Sequence, residues 1–193
     1  MKYAAIDIGN VCIAIDKTAP LRGMGLPPEE NHLQAIHGCV KRLEFGVTGV
    51  DEFFAELSQL DFCREVALED LKKLYDSILL SPVPGMAELL EELPTLGVMP
   101  VFFSDISTFH LEGSRRRLPL MRRFEGIYSF NYGAYKPSEL LFKAFEARYG
   151  KPLIYADDRS ELISGALQYG WNAHLFTSSE NLRQEIIKLL QNT

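Results

Sequence analysis

Apolar positions along the chain follow two rhythms. Near the N-terminus, Tyr3-Ala4-Ala5-Ile6 run without a polar break into Asp7, and the turn signal Gly9-Asn10 follows two residues later. An unbroken run of this kind predicts a strand over residues 2–11 that is buried on both faces, as in a parallel sheet under helices. The same signature recurs at residues 99–103, ending at Ser104-Asp105, and at residues 152–156, ending at Asp157-Asp158. Shorter strands are expected at 127–130 and 173–176. The second rhythm is helical. Leu71, Leu74, Tyr75, Ile78 and Leu79 form an i, i+3, i+4, i+7, i+8 stripe, and Phe53, Phe54, Leu57 and Leu60 share one face. Further helices are predicted over 31–41, 86–96, 138–149, 160–169 and 180–190, with Pro94 expected to stop or kink the second of these early.

The order of these signals sets the fold class. Residues 17–28, with Pro20, Gly23, Gly25, Pro27 and Pro28, read as a loop leaving the first strand, and Ser81-Pro82-Val83-Pro84-Gly85 reads as a linker. Only helical patterns lie between them, which predicts an inserted helical cap over 17–83. Strands and helices alternate on either side, so residues 1–16 and 84–193 are expected to form an α/β core. That core would be a Rossmann-like three-layer sandwich with a parallel sheet between helices.

Composition narrows the function classes. Of 193 residues, 47% are hydrophobic and 24% charged, enough apolar material for a real core. A net charge of −6 gives no electrostatic footprint for nucleic acid or an anionic membrane, and no partner of either kind is expected. No stretch resembles a membrane span or a signal peptide, because Asp7 interrupts the first apolar run. Cys12, Cys39 and Cys63 follow no metal-ligand spacing and read as reduced cysteines of a cytoplasmic protein. Oligomeric state is not legible.

The candidate chemistry lies at the strand ends. In a parallel sheet Asp7, Ser104 and Asp157-Asp158 share one edge, the edge where open α/β sheets bind ligands. Lys136 follows the short fourth strand. Crowded carboxylates repel unless a divalent cation sits among them, and oxygen ligands suit Mg²⁺. The cation and Lys136 would neutralise phosphate oxygens, Ser104 would offer a hydroxyl, and Asp7 would attack phosphorus to give an aspartyl-phosphate. Each piece also has an ordinary reading: Asp7 as a turn cap, Lys136 as a surface lysine, and Asp157-Asp158 as the N-terminal cap of the next helix. The four in order favour the catalytic one.

The same residues resemble the signature of the haloacid dehalogenase-like (HAD) hydrolase superfamily over nearly the whole chain. Asp7-Ile8-Gly9-Asn10-Val11 is similar to its first motif and Ser104 to its second. Lys136-Pro137 is similar to the third, and Asp157-Asp158, trailed by Gly165-Ala166 and Gly170, to the fourth. Glu44-Phe45-Gly46 resembles a cap segment of the subgroup that includes bacterial sugar-phosphate phosphatases. The resemblance implies Asp7 as nucleophile, Ser104 and Lys136 against the substrate phosphate, and Mg²⁺ held by Asp7, the Gly9 carbonyl, Asp157 and Asp158; Asp105, next to Ser104, is expected at the substrate too, without a family role. It departs at Gly9, where the motif's usual second aspartate protonates the leaving group. Such acid–base catalysis is worth about 10²–10⁴-fold in rate. The Asp7-x-Gly9-Asn10 variant is itself similar to the sugar-phosphate subgroup, so the change need not abolish phosphatase activity; the expectation is a slow phosphatase, or a proton from another group, with Asp16 and Asp105 as candidates.

The expected activity is Mg²⁺-dependent hydrolysis of a small phosphorylated metabolite, a phosphomonoesterase reaction. The alternatives are a binding or regulatory protein that kept the pocket without turnover and, ranked lower, a 2-haloacid dehalogenase. Arg115, Arg116, Arg117, Arg122 and Arg123 read as a solvated or partner-facing basic surface. The histidines have no ligand spacing, and Trp171 reads as core.

Overall fold

A computed structural model of the chain describes residues 1–192. The chain begins β1 (Lys2–Ile6), β2 (Ile13–Ile15), α1 (Ala19–Gly23), α2 (Glu30–Glu44), α3 (Val50–Leu57), α4 (Leu68–Asp76) and β3 (Leu79–Pro82). It continues α5 (Met86–Thr95), β4 (Val98–Ser104), α6 (Thr108–Arg117), β5 (Gly126–Tyr128), α7 (Ser129–Tyr132) and α8 (Glu139–Tyr149). The last elements are β6 (Ile154–Asp157), α9 (Ser160–Tyr169), β7 (Ala173–Leu175) and α10 (Ser179–Gln191).

The five strands of the main sheet are parallel and run in the order β5-β4-β1-β6-β7. The first strand of the chain is thus the central one. Its alternate residues feed two different cores, as a pleat requires. Ala4 and Ile6 pack with Phe102, Ala156, Leu90, Leu182 and Ile186 on one face. Ala5 packs with Val101, Phe103, Tyr155, Phe145 and Trp171 on the other. That double burial explains the unbroken apolar run. Trp171 is core, as its pattern predicts, and donates its indole N–H to Glu146 at 2.8 Å.

Between the two crossings from the sheet, α1 to α4 close around a separate core of Cys39, Leu43, Phe53, Phe54, Leu57, Cys63, Leu71 and Tyr75. The three cysteines are buried and unpaired. No helix among the described residues is long and apolar enough to cross a membrane.

Several local expectations need correction. Residues 81–85 are not simply a linker: β3 pairs antiparallel with β2, and this two-stranded ribbon forms the neck between sheet and cap. Pro82 is tolerated there because the ribbon has two strands and hence two free edges. The loop at 17–28 contains the short helix α1, whose first turn accommodates Pro20. The first strand ends at Ile6 instead of reaching residue 11, because the chain turns away at Asp7. Helix α5 continues one residue past Pro94. Helix α6 was hidden by its charged sequence. Of the arginine cluster, Arg116, Arg122 and Arg123 are solvated as expected, but four of the five arginines are neutralised by ion pairs. Arg116 and Arg117 reach Asp76 at the end of α4, each at 2.8 Å, and clasp the cap to the core, while Arg115 and Arg122 pair with Glu112.

Candidate active site

Asp7 stands one residue beyond β1. Ile6 lies opposite Phe102 on one side and Ala156 on the other, which brings Asp7 level with the ends of β4 and β6. Lys136 enters from the segment between α7 and α8, where its peptide bond to Pro137 is cis. Its ammonium has three hydrogens and three acceptors: Asp7 Oδ1 at 2.8 Å, Asp157 Oδ2 at 2.6 Å and the Phe103 carbonyl at 3.0 Å. Asp157 also accepts the Tyr155 hydroxyl and, at 3.0 Å, the backbone N–H of Arg159.

Burial and charge act against each other here. Burial raises the Asp7 carboxyl to about 6, although Lys136 opposes the shift; the negative charge of Asp157 adds to it. Asp157 is equally sequestered, but the charge and hydrogen bond of Lys136 overcome burial and hold it below the usual carboxylate range. Burial alone would lower Lys136, yet Asp7 and the other acids around it keep the ammonium well above its ordinary value. The structure thus sets one buried ammonium between two buried carboxylates.

One carboxylate oxygen from each of Asp7, Asp157 and Asp158 lies within 4.8 Å of the other two. Three hard oxygen donors without histidine or thiolate form a set that fits Mg²⁺ rather than a softer metal. Gly9 borders the same cavity. Asp158 is oriented by Asn10, whose side-chain amide donates to it at 2.9 Å. Asn10 has a left-handed backbone (φ 53°), which asparagine tolerates, and its amide oxygen accepts the Ile15 N–H at 3.0 Å. Thus Asn10 ties the ribbon to the acid pair.

The structure brings Asp7, Gly9, Ser104, Asp105, Lys136 and Asp158 onto one cavity wall, with Asp157 buried behind them. Asp105 arrives as a brace: its two oxygens accept the Lys136 N–H at 2.9 Å and the Arg159 guanidinium at 3.1 Å. Asp16 lies off the wall and is held by Arg22 and Thr18. Neither is free to replace a proton donor at position 9. The space a side chain at Gly9 would need is itself partly filled. A β-carbon there would lie 3.2 Å from Ile15 Cδ1 and 3.9 Å from Asp7 Oδ2.

The sequence marks Asn10 within the first motif and Glu44 within a cap segment but gives neither a contact, and it assigns no part to Ile15, Arg159 or Tyr135. Arg159 had one local signal, a base directly after two acids. The meeting of Glu44 with Tyr135 had none, since 91 residues separate them; the Tyr135 hydroxyl donates to Glu44 at 2.6 Å, joining cap to core beside Lys136. Burial raises the Glu44 carboxyl despite that bond.

A cavity of about 700 Å³ extends from these strand ends into the cap. Its floor is polar. Its upper wall is built mainly from the apolar faces of α2 and α4. A second, more open depression on the cap, around Arg22 and Lys73, contains none of the strand-end residues.

No protein-family model and no curated protein sequence matches this chain. Solved structures do. The HAD family enzyme bt-2542 of Bacteroides thetaiotaomicron superposes with a TM-score of 0.83 at 18% identity, covering 96% of this chain and 98% of that one. Its complex with magnesium and inorganic phosphate gives 0.78 at 17% identity, covering 92% and 95%. A predicted HAD-like family hydrolase from Porphyromonas gingivalis gives 0.78 at 20% identity over 100% and 99%. The L-2-haloacid dehalogenase of Xanthobacter autotrophicus, with chloropropionic acid covalently bound, gives 0.62 at 17% identity over 97% and 83%. Along almost its entire length the chain has the fold of these HAD enzymes.

Proposed function

We propose that this protein is a Mg²⁺-dependent phosphatase acting on a small phosphorylated metabolite. The observation that carries the reading is the placement of Asp7: buried, bonded to Lys136, and within 4.8 Å of Asp157 and Asp158, oxygen to oxygen. Asp7, Asp157 and Asp158 would hold the cation, with the Gly9 carbonyl beside them. Bound there, Mg²⁺ supplies positive charge that offsets the phosphate's and orients its oxygens.

The chain's own residues account for the rest. An Asp7 oxygen attacks phosphorus; the P–O bond to the leaving group breaks and its electron pair departs on that oxygen. Lys136 holds the attacking carboxylate in place, and Ser104 offers its hydroxyl to a phosphate oxygen. Water then attacks phosphorus and releases inorganic phosphate and free Asp7. The magnesium and phosphate bound by bt-2542 support this assignment by likeness of fold. Phosphate release from a panel of phosphomonoesters with Mg²⁺ tests it. Release should stop with EDTA and in Asp7→Asn.

A second reading, displacement of halide from carbon, draws on one observation: a halide leaves without a proton, and Gly9 supplies none. The acid cluster weighs against it, since carbon displacement needs no cation. Chloride release from 2-chloropropionate without Mg²⁺ would favour it.

A further inference from the structure

Resting on the phosphatase reading, we propose that the substrate is an aryl or enol phosphate, whose oxygen leaves as a stabilised anion without taking a proton from the protein. Two independent features of the cavity lead there.

The first is the lack of an uncommitted carboxylic acid beside Asp7, where the Lys136 ammonium already spends its hydrogens on Asp7, Asp157 and the Phe103 carbonyl. Gly9 has no side chain, and Ile15 Cδ1 stands 3.2 Å from where its β-carbon would begin. The Ile15 backbone is fixed by its N–H bond to Asn10 and by the pairing of β2 with β3, which keeps its side chain over Gly9. The remaining acids on the wall have other partners. Asp7 and Asp158 belong to the carboxylate cluster, Asp105 braces Lys136 and Arg159, and Glu44 receives the Tyr135 hydroxyl from the cap side. His110 gives its Nε2–H to the Tyr75 carbonyl at 3.0 Å. Lys17 and His37, also on the wall, are exposed. An alkoxide expelled without an acid forfeits about 10²–10⁴-fold in rate. A phenolate or enolate spreads its charge over its own π-system and needs that acid least.

The second feature is the upper wall. Met24, Leu33, Ile36, Val40, Leu71 and Leu74 line it. A sugar carries a hydroxyl on nearly every carbon, and each one buried without a partner costs about 1–3 kcal/mol. A flat apolar ring meets no such cost, and 700 Å³ is ample for one or two rings. Wall and floor thus select the same chemistry: phosphate below, an unsaturated or aromatic body above.

In the step itself, the Asp7 Oδ–P bond forms and the P–O(aryl) bond breaks. The bonding pair leaves as phenolate or enolate, which solvent protonates after release.

The test compares 2-naphthyl phosphate with 2-naphthylmethyl phosphate, using the full chain with Mg²⁺. The two share a ring system and differ in how well the oxygen leaves. The proposal expects kcat/KM at least about 100-fold higher for the aryl ester, and hexose phosphates slower than either. Comparable turnover of both esters, or a hexose phosphate as the best substrate, overturns this proposal and leaves the phosphatase reading standing. No phosphate released from any of them overturns both.

Discussion

The ring of Pro137 presses against Gly165: a β-carbon at position 165 would stand 2.6 Å from Pro137 Cβ and 2.8 Å from Cγ. Helix α9 can approach the Lys136 segment this closely only because it presents glycine there. Two effects oppose one another in Gly165→Ala. Alanine favours a helix interior by about 1 kcal/mol, but the proline ring is rigid and one of the two must move. Displacement should win, because Lys136 is anchored by three bonds within its 5.7 Å approach to the Phe103 ring. We expect Gly165→Ala to lower the melting temperature and to cut kcat on a good phosphate ester roughly tenfold or more. A melting temperature above wild type would show that the helix has room.

Removing Lys136 leaves two buried carboxylates without their cation. Loss of one partner from a buried pair costs about 3–5 kcal/mol, so Lys136→Met should lose stability of that order in urea unfolding without divalent ions. Mg²⁺ should restore part of the loss in Lys136→Met. The same ion should raise the melting temperature of wild type and leave Asp157→Asn unmoved, because a ligand stabilises only the state that binds it. Equal Mg²⁺ shifts in wild type and Asp157→Asn would place the cation elsewhere.

Supplying an acid at position 9 is not sufficient by itself. Gly9→Asp places a side chain against Ile15 Cδ1, so the single variant should gain little on an alkyl phosphate. Gly9→Asp combined with Ile15→Ala opens the space, and we expect the pair to raise alkyl-ester turnover about tenfold or more. The readout is single-turnover phosphate release for the single and double variants side by side.

His110 makes stability depend on pH. Burial lowers its imidazole to about 4, against the pull of the Tyr75 carbonyl and Asp76, with Arg117 adding to the depression. The unfolded chain takes up this proton near the ordinary value of 6.5, whereas the folded chain resists it until about 4. The contribution is therefore fully present above the higher value and is lost as pH falls between the two, roughly 3 kcal/mol in all. Unfolding free energies at pH 7.5 and pH 5 should differ less in His110→Gln, which keeps a donor for the Tyr75 carbonyl. Identical pH slopes in the two proteins would contradict this origin.

The sheet and the meeting of Asp7 with Asp157 could be read from the chain alone, because a strand buried on both faces must be apolar throughout. Its acid then stands out at the point where the backbone leaves the sheet. The helices around the third core showed themselves through stripes at helical spacing, although Ile78 and Leu79 of one stripe fall beyond α4. Other features were decided only in three dimensions. Strand β3 hid behind two prolines, since a two-stranded ribbon leaves edges where a missing N–H costs nothing. Helix α6 hid behind its arginines, whose partner Asp76 lies about 40 residues away. Ile15 over Gly9 and Glu44 against Tyr135 are contacts between residues with no shared periodicity, and no local pattern encodes them. Residue order dictated which side chains stand at the strand ends; packing of the neck and cap against that edge decided how much room, and how little acid, is left beside Asp7.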